Sequence, residues 1–423
     1  MDDRQCGRLP QLEGLFVMPK SPAKTRLPFV VVLLAIGTFL MSTTEFVIAG
    51  LLPEMASDLN VSVAQTGLLI TAFAVGMIIG APTISMATVG LPKRSMLVVA
   101  LLVFAAGHVV AAVSPSFGVV MGARVITALA TGTFLSVAAI VATTAAGPAT
   151  ASRAMGVMMS GMGLAIVAGV PLGSFVGQAI GWRGIFWALA VLAVVAAIVI
   201  GLLAPREEQR QATSIRSQLG ALRQGRMWLV LLTTALVSGG FLAAYSYISP
   251  LLTDRTGLSE TAVPLLLVGF GIGALIGTNV TGRVADKKPL TTFFGIAVGS
   301  ALVVLLLIPL SPFVVPTIVL VILLGFTGMG VTAIATPLAV RFGHAGPSLA
   351  AALTVAAFNV GIAAASWLAG IALESQIGVT GPEMVGVIMV AIGIIPLIIL
   401  AAMRATSPAS TVTEEAPARD LVA

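Results

Sequence analysis

Residues 28–52 read PFVVVLLAIGTFLMSTTEFVIAGLL, an apolar stretch with one charged side chain, Glu45. About 20 apolar residues in a helix cross the hydrocarbon core of a bilayer, so this stretch predicts a membrane span. Glu45 is the one acid that the pattern places well inside a span, where an ionised carboxylate costs at least about 2.5 kcal/mol. We therefore expect Glu45 to face a cavity or a bundle interior, where it can change its protonation state. The alternative is a structural hydrogen bond from Glu45 to a neighbouring helix.

The composition indicates an integral membrane protein. Hydrophobic residues make up 58% of the 423 positions and charged residues 9%, whereas about a quarter of a soluble domain is charged. The net charge of +6 does not indicate nucleic-acid binding, because the basic residues lie in short connections between apolar runs. The single cysteine, Cys6, precedes the first span, which excludes a disulfide framework and a cysteine metal site.

Twelve apolar runs of about 18–25 residues predict twelve transmembrane helices. An even number of spans puts both termini on one side of the membrane. All but three of the 22 lysines and arginines flank the connections on that side; the exceptions are Arg183 and Arg255 in opposite loops and Arg124 inside the fourth run. Both termini are therefore expected in the cytoplasm. The runs cover residues 28–52, 64–88, 95–113, 117–142, 154–179, 182–204, 227–251, 262–283, 291–310, 313–337, 348–372 and 383–403.

A repeat divides the chain into two halves. The second run contains LITAFAVGMIIG at 69–80, and the eighth contains LLVGFGIGALIG at 266–277, an offset of 197 positions. Parallel halves related by an axis along the membrane normal are typical of one transporter architecture, with the substrate site between them near the midplane. The predicted organisation is a cytoplasmic tail at 1–27, a six-helix bundle at 28–204, a charged cytoplasmic linker at 205–226, a second six-helix bundle at 227–403 and a cytoplasmic tail at 404–423.

Four short motifs lie in or directly after predicted helices. Thr44-Glu45-Phe46 lies in the first helix, Arg124 in the fourth, a Gly/Pro-rich stretch around Pro171 in the fifth, and GRVADK at 282–287 after the eighth. Across residues 26–404 the chain resembles the major facilitator superfamily, and within it the twelve-helix drug:proton antiporters. The resemblance implies an all-α membrane protein of two pseudo-symmetric bundles, in which Arg124 supports proton coupling.

The same resemblance implies two gates. Its helix-5 motif, on Gly169, Pro171 and Gly173, would shape the periplasmic gate, and Arg283 with Asp286 would belong to the cytoplasmic gate. The chain departs from the usual pattern at two places. Val89 stands where the repeat offset would put the counterpart of Asp286, and Val170 separates Gly169 from Pro171. With these departures the chain is similar to actinobacterial chloramphenicol efflux proteins and to arabinose and sugar efflux permeases.

Glu45, Arg124 and His108 are the candidates for proton coupling. A buried Arg keeps its proton, so Arg124 can hold a fixed charge while a nearby acid titrates; the alternative is a simple bond to helix carbonyls. His108 in the third helix is of the residue type that titrates near neutral pH. Its alternative is a neutral, hydrogen-bonded buried histidine.

Seven residues are candidates for substrate binding. Aromatic walls with a hydroxyl suit an amphipathic drug, and methionine suits promiscuous binding. Asn359 is an amide in apolar surroundings, for which an interhelical bond is the alternative. For the two tyrosines of the seventh helix an interfacial aromatic belt is the alternative, which suits Tyr247 better than Tyr245. The candidates are Met41, Thr44, Phe46, Thr131, Phe241, Tyr245 and Asn359.

These observations predict a proton-coupled exporter of amphipathic drugs, working by alternating access in a bacterial plasma membrane. The alternative is a sugar or small-metabolite efflux permease of the same superfamily. The chain contains no His-Glu-x-x-His, no Gly-x-Ser-x-Gly and no phosphate-binding loop, which argues against an intramembrane enzyme and a primary pump. We expect a monomer that uses a proton gradient and no cofactor, with a small-molecule substrate and the lipid bilayer as its partners.

Overall fold

A computed structural model describes residues 27–87, 91–147, 150–204, 219–343 and 347–405. Most of each predicted tail, residues 205–218 of the predicted linker, and Val89 lie outside these ranges. Within them the chain is helical and contains no strand. Twelve helices are long and apolar enough to cross a membrane, as predicted. They are α1 (Phe29–Gly50), α2 (Val63–Ala87), α3 (Lys93–Val113), α4 (Phe117–Ala146), α5 (Ala151–Ile180), α6 (Trp182–Leu203), α7 (Gly225–Ser246), α8 (Val263–Ala285), α9 (Pro289–Leu310), α10 (Val314–Phe342), α11 (Pro347–Glu374) and α12 (Gly381–Ala405).

The helices pack as two six-helix bundles. In the first bundle α4 packs on α2 and α3, α6 packs on α3, and α1 packs on α5. The second bundle repeats this scheme, because α10 packs on α8 and α9, α12 packs on α9, and α7 packs on α11. Between the bundles α2 contacts α11 and α5 contacts α8. The pseudo-twofold axis relates α2 to α8 and α5 to α11. It therefore turns the contact of α2 with α11 into the contact of α8 with α5.

The glycines of the sequence repeat have the same structural role in both bundles. A Cβ on Gly76 of α2 would lie 2.8 Å from the carbonyl oxygen of Val125 in α4. A Cβ on Gly273 of α8 would likewise collide with the backbone of Ile322 in α10. Both the glycines and their neighbours are 197 positions apart in the chain. Small residues allow helix backbones to approach closely in lipid, so the repeat marks one close helix contact in each bundle.

Three helices depart from regular α geometry. α1 tightens into a 3-10 turn at Val47–Gly50, after which a short helix, Leu52–Leu59, begins. α5 contains a π turn at Ala165–Gly169, just before Pro171. Proline lacks the amide N–H that would bond one turn back, which explains the irregular backbone there. After α7 the chain leaves helical geometry at Tyr247 and forms a second π turn at Leu251–Arg255.

The two bundles touch at the membrane face opposite the termini, which we call the far end. The Ser62 hydroxyl, at the start of α2, donates to Glu374 Oε1 at the end of α11 over 2.5 Å. The Gln178 side chain at the end of α5 donates to the Glu260 carbonyl oxygen, which precedes α8, over 2.9 Å. Both of these bonds join a helix of the first bundle to a helix of the second. The molecule is thus closed at its far end.

Candidate functional site

A cavity lies between the bundles, lined by α1 and α2 from the first and by α7 and α11 from the second. It is narrow in this conformation, with about 10 Å³ of space for the centres of water molecules, which is room for roughly one water. Most of its lining is aliphatic or aromatic, with a carboxylate, a phenol, a hydroxyl and an amide among the apolar groups. The lining residues are Glu45, Phe46, Ala49, Ile70, Phe73, Ala74, Leu242, Tyr245, Ser246, Asn359 and Ile362.

Glu45 supplies the one carboxylate of this lining. Its side chain is half-buried, one residue before the α-helical part of α1 ends. Among the described residues, no side chain or backbone group donates a hydrogen bond to the carboxylate, and no cation lies within 4.0 Å of it. A charge inside a span is stable only with a partner or with water. The carboxylate faces the cavity between the bundles.

Arg124 of α4 lies behind Glu45, away from the cavity lining. Its guanidinium donates to the Thr44 carbonyl oxygen over 3.1 Å and to the Thr44 hydroxyl over 3.0 Å, and it stacks on the Phe73 ring at 4.3 Å. Nη2 is buried without a hydrogen-bond partner among the described groups. The side chain is 2% exposed. Arg124 is therefore a fixed buried charge with the two N–H groups of Nη2 still available.

His108 of α3 extends this network. Nε2 lies 2.8 Å from the Thr44 hydroxyl and Nδ1 lies 2.8 Å from the Phe104 carbonyl oxygen. A carbonyl oxygen only accepts, so Nδ1 bears the proton that bonds to Phe104. In a neutral imidazole Nε2 then accepts from the Thr44 hydroxyl, whose oxygen accepts from Arg124. The hydrogen bonds run from Arg124 through Thr44 to His108, and Glu45 directly follows Thr44 in α1.

The aromatic wall of the cavity comes from both bundles. Phe46 of α1 meets Tyr245 of α7 edge to face, with ring centroids 6.2 Å apart. The Tyr245 hydroxyl donates to the Phe46 carbonyl oxygen over 3.3 Å, and its ring stacks on Phe270 of α8 at 4.4 Å. Opposite, the Asn359 amide donates to the Val355 carbonyl oxygen over 3.0 Å, while Asn359 Oδ1 has no partner among the described groups. This free acceptor lies in the cavity wall.

The structure brings five of the predicted site residues to or beside Glu45. Phe46, Tyr245 and Asn359 line the cavity, and Thr44 and Arg124 form the layer behind it. His108 joins that layer through Thr44.

Three of the predicted substrate-binding residues lie elsewhere. Thr131 of α4 and Met41 of α1 bond to each other, with 3.3 Å between the hydroxyl and the sulfur. Phe241 is buried within the second bundle, with its ring against Gly328 of α10. In this conformation these three side chains are part of the bundle packing.

The predicted periplasmic gate residues join α5 to α1. A Cβ on Gly169 would overlap the Thr43 hydroxyl, and one on Gly173 would lie 2.6 Å from Val47 Cγ2. The π turn before Pro171 also meets the second bundle. There a Cβ on Gly271 of α8 would lie 2.6 Å from Val167 Cα. Any displacement of α5 against α8 therefore also acts on α1.

Arg283 and Asp286, the predicted cytoplasmic gate residues, lie at the end of α8 on the side of the termini. Both side chains are exposed. Within the described part of the chain neither forms a hydrogen bond or an ion pair.

The sequence patterns missed two features. Tyr247 is 1% exposed, so it does not belong to an interfacial belt; its hydroxyl donates to the Ser366 carbonyl oxygen of α11 over 3.0 Å. Glu383 is also fully buried although it is only the third residue of α12. Glu383 stands at the edge of the last apolar run, where the pattern places it at the membrane surface.

The repeat offset of 197 also relates cavity residues, a signal that was available in the sequence. Glu45 corresponds to Leu242, and Ala49 corresponds to Ser246. All four line the cavity. The cavity thus lies on the pseudo-twofold axis, with a carboxylate on one side and leucine at the equivalent position on the other.

Comparison with known proteins identifies the family. The model described as "Major Facilitator Superfamily" matches residues 34–348. A "Chloramphenicol resistance protein" of Streptomyces lividans is 36% identical, over 87% of this chain and 95% of that protein. The "Putative transporter AraJ" of Escherichia coli (strain K12) is 30% identical, over 61% of this chain and 66% of that protein.

A solved structure shares the fold. It is a bacterial homologue of the human lysosomal transporter Spinster, in an inward-facing and occupied conformation. It has a TM-score of 0.68 and 16% identity, and the match covers 90% of this chain and 97% of that one. With its twelve spans, its two related bundles and this family match, the chain belongs to the major facilitator superfamily of membrane transporters.

Proposed function

We propose that this transporter exports amphipathic drugs in exchange for protons, by alternating access. The observation that supports this most is the Glu45 carboxylate, half-buried in the wall of a cavity between the bundles and bonded to no other group among those described. An acid in this position can gain and lose a proton as the cavity changes the side to which it opens.

The proposed cycle uses the difference between the two protonation states of Glu45. When the cavity faces outward, an external proton neutralises Glu45 and the drug leaves. When the cavity faces inward, the proton is released and a new drug binds. A drug that bound both states equally would not be coupled to the proton, so the drug must prefer the ionised form. Arg124 and His108, behind Thr44, set the field that Glu45 experiences.

We infer that the termini are cytoplasmic, because the lysines and arginines cluster on their side of the membrane. The far end is then the outer face, and the molecule described here is closed to the outside. The proposed location is a bacterial plasma membrane, with the chain acting as a monomer.

The lining of the cavity favours a substrate that is mostly apolar. Phe46, Phe73 and Tyr245 offer ring faces and edges, and Asn359 Oδ1 offers one free acceptor. A drug-sized molecule needs this combination of apolar walls and a few placed polar groups, and the likeness to a chloramphenicol resistance protein points the same way. A sugar efflux permease is the second candidate, because the sequence motifs also resemble those of arabinose and sugar efflux permeases. A sugar, however, needs more hydrogen-bonding groups than this lining provides.

Growth of an efflux-deficient bacterial host distinguishes the two substrates. Cells that express the protein are compared with cells that express Glu45→Gln, on a panel of antibiotics that includes chloramphenicol, and sugar accumulation is measured in the same cells. We expect the protein to raise resistance to at least one amphipathic drug and Glu45→Gln to remove that resistance. Altered sugar accumulation with unchanged drug resistance would instead favour the permease.

A further inference from the structure

A second buried carboxylate lies in the other bundle, away from the cavity. Glu383 is the third residue of α12, and its side chain is fully buried. Neither of its oxygens has a hydrogen-bond partner among the described residues. One turn later, a Cβ on Gly386 would lie 3.0 Å from Val304 Cγ1 of α9 and 2.5 Å from the Gly240 carbonyl oxygen of α7. Glu383 therefore lies inside the bundle, at its far end.

An ionised carboxylate in this position would have lost its hydration, and no neighbouring residue among those described would replace it. Burial of an unpaired charge is among the most costly events in a protein interior. The N-terminus of α12 favours a negative charge, but this effect is smaller than the burial penalty. Glu383 is therefore in its neutral, protonated form in the conformation described here.

Arg255 is a cation on a neighbouring segment, because its π turn packs on the short turn Gly378–Thr380 just before α12. Its Nε donates to the Ser311 hydroxyl over 2.7 Å, its Nη2 donates to the Ile308 carbonyl oxygen over 3.2 Å, and its side chain is otherwise exposed. No ion pair within 4.0 Å joins it to Glu383. The electrostatic influence of Arg255 nevertheless reaches the carboxylate. The Arg255 side chain is thus at the surface, on a segment that packs beside the start of α12.

The other ionisable groups on the surrounding elements are occupied elsewhere. Asp254 is exposed and accepts from the Thr253 hydroxyl. Glu374, at the end of α11, accepts from Ser62 of the first bundle. Tyr247 bonds to the Ser366 carbonyl oxygen. α9 contains no charged residue. Arg255 is consequently the available partner for an ionised Glu383.

The segment that bears Arg255 is irregular and begins at the contact between the bundles. Tyr247 leaves helical geometry at the end of α7, and the π turn ends at Arg255. π turns are often found at functional sites. The Tyr247 hydroxyl lies between α2 and α11, so separation of the bundles at the far end removes its surroundings. Such a movement therefore acts on the beginning of the segment that ends at Arg255.

We propose that Glu383 is a second proton-binding site, which releases its proton and pairs with Arg255 when the bundles separate at the far end. The carboxylic O–H bond breaks heterolytically, the electron pair stays on the carboxylate, and the proton passes to the water around Arg255. This site is separate from Glu45, and its protonation requires no drug.

Infrared spectroscopy of the full-length protein in lipid vesicles tests the site directly, with protons as the probe. The neutral carboxyl band is recorded between roughly pH 5 and pH 9 for the unmodified protein, Glu383→Gln and the control Asp254→Asn. We expect part of the band to be missing in Glu383→Gln and retained in the control. Superimposable bands for the unmodified protein and Glu383→Gln would overturn the proposal. So would loss of the Glu383 band on addition of sodium at constant pH, which would make sodium the ligand.

Spin labels at Ser57 and Ser259, both exposed at the far end, test the link to opening. At one alkaline pH, Arg255→Gln and Glu383→Gln should each reduce the separated population several-fold, and the double variant should reduce it no further. Asp254→Asn should leave it unchanged. A normal separated population in Arg255→Gln would exclude the pairing, even if Glu383→Gln failed to fold. Neither measurement depends on drug export, so either proposal can fail alone.

Discussion

Thr44 connects the charged residues of the first bundle. Its hydroxyl lies 3.0 Å from an Arg124 nitrogen and 2.8 Å from His108 Nε2, and Glu45 follows it in α1. Consecutive helical residues point about 100° apart. Thr44 therefore faces the buried network while Glu45 faces the cavity, and one stretch of helix serves both.

Removal of the Thr44 hydroxyl should destabilise this network. Thr44→Val leaves His108 Nε2 without its partner and Arg124 with one bond fewer, in surroundings that exclude water. An unsatisfied buried polar group costs about 1–3 kcal/mol, so the melting temperature of the purified protein should fall. Thr44→Ser keeps the hydroxyl and should restore most of the stability. Equal melting temperatures for Thr44→Val and Thr44→Ser would contradict the network described here.

Glu45→Gln should abolish coupling without preventing assembly. The amide keeps the shape of the side chain and resembles the protonated acid, but it cannot release a proton. The variant should reach the membrane in normal amounts, yet lose uphill drug efflux and drug-induced proton movement in vesicles that report pH. Arg124→Ala should also uncouple transport, and the double variant should be no worse than the more damaging single one. Full proton-driven efflux by Glu45→Gln would place the coupling site elsewhere.

At the scale of elements, the far end is closed largely by α2 and α11 around Tyr247. A Cβ on Gly67 of α2 would overlap the Tyr247 hydroxyl, and one on Gly370 of α11 would lie 2.6 Å from it. The Ser366 hydroxyl also donates to the Gly67 carbonyl oxygen over 3.0 Å. Tyr247 thus occupies a slot that two glycines of different bundles leave open.

Gly67→Ala should weaken this closure. The added methyl group occupies the position of the Tyr247 hydroxyl, so the bundles must separate or the ring must move. Spin labels at Ser57 and Ser259 should report a larger fraction of separated molecules. Gly122→Ala is the matched control, because a Cβ there meets nothing within 4 Å. If both variants gave the distance distribution of the unmodified protein, Tyr247 would have no part in closure.

Glu54, on the short helix after α1, should make closure depend on pH. Burial and then the nearby Glu260 raise the pKa of Glu54 from 4.5 to about 7, and Glu54 Oε2 is buried without a partner among the described groups. Where the bundles separate, Glu54 meets water and its pKa returns toward 4.5. The closed form therefore binds the proton more tightly, and its advantage is complete below pH 4.5 and lost as the pH rises through about 7.

Distance measurements across this pH range test the effect of Glu54. The same spin labels should report more separated molecules as the pH rises, and Glu54→Gln should reduce that dependence. A pH response identical to that of the unmodified protein would exclude Glu54 as a contributor.

At the scale of the whole molecule, the backbone is nearly symmetric but the chemistry is not. The glycine contacts of α2 with α4 recur in α8 with α10 at the same offset. Glu45, His108 and Arg124, however, correspond to Leu242, Leu305 and Val321. A symmetric backbone can open at either end. Because the charged residues lie on one side of the axis, Glu45 is the group of the cavity lining that protonation would change.

Cysteine labelling tests the orientation of the molecule. Cysteines at Ser57 and Ser259 should react with an impermeant reagent in intact cells, and a cysteine at Ser217, in the linker outside the described residues, should react only after lysis. The native Cys6 is replaced by serine in every variant. Labelling of position 217 in intact cells would reverse the proposed topology.

The sequence alone determined the twelve spans, the two-bundle repeat and the family, because lipid imposes long apolar runs and close helix packing imposes small residues at regular intervals. It also singled out Glu45 and Arg124, since a charge inside a span is conspicuous. Only the tertiary structure decided that Arg124 bonds to Thr44 and makes no ion pair with Glu45, and that Phe241 packs within its own bundle. It also decided that Tyr247 closes the far end and that Glu383 is buried. These outcomes depend on how helices rotate and where bundles meet, which hydropathy along one chain does not specify.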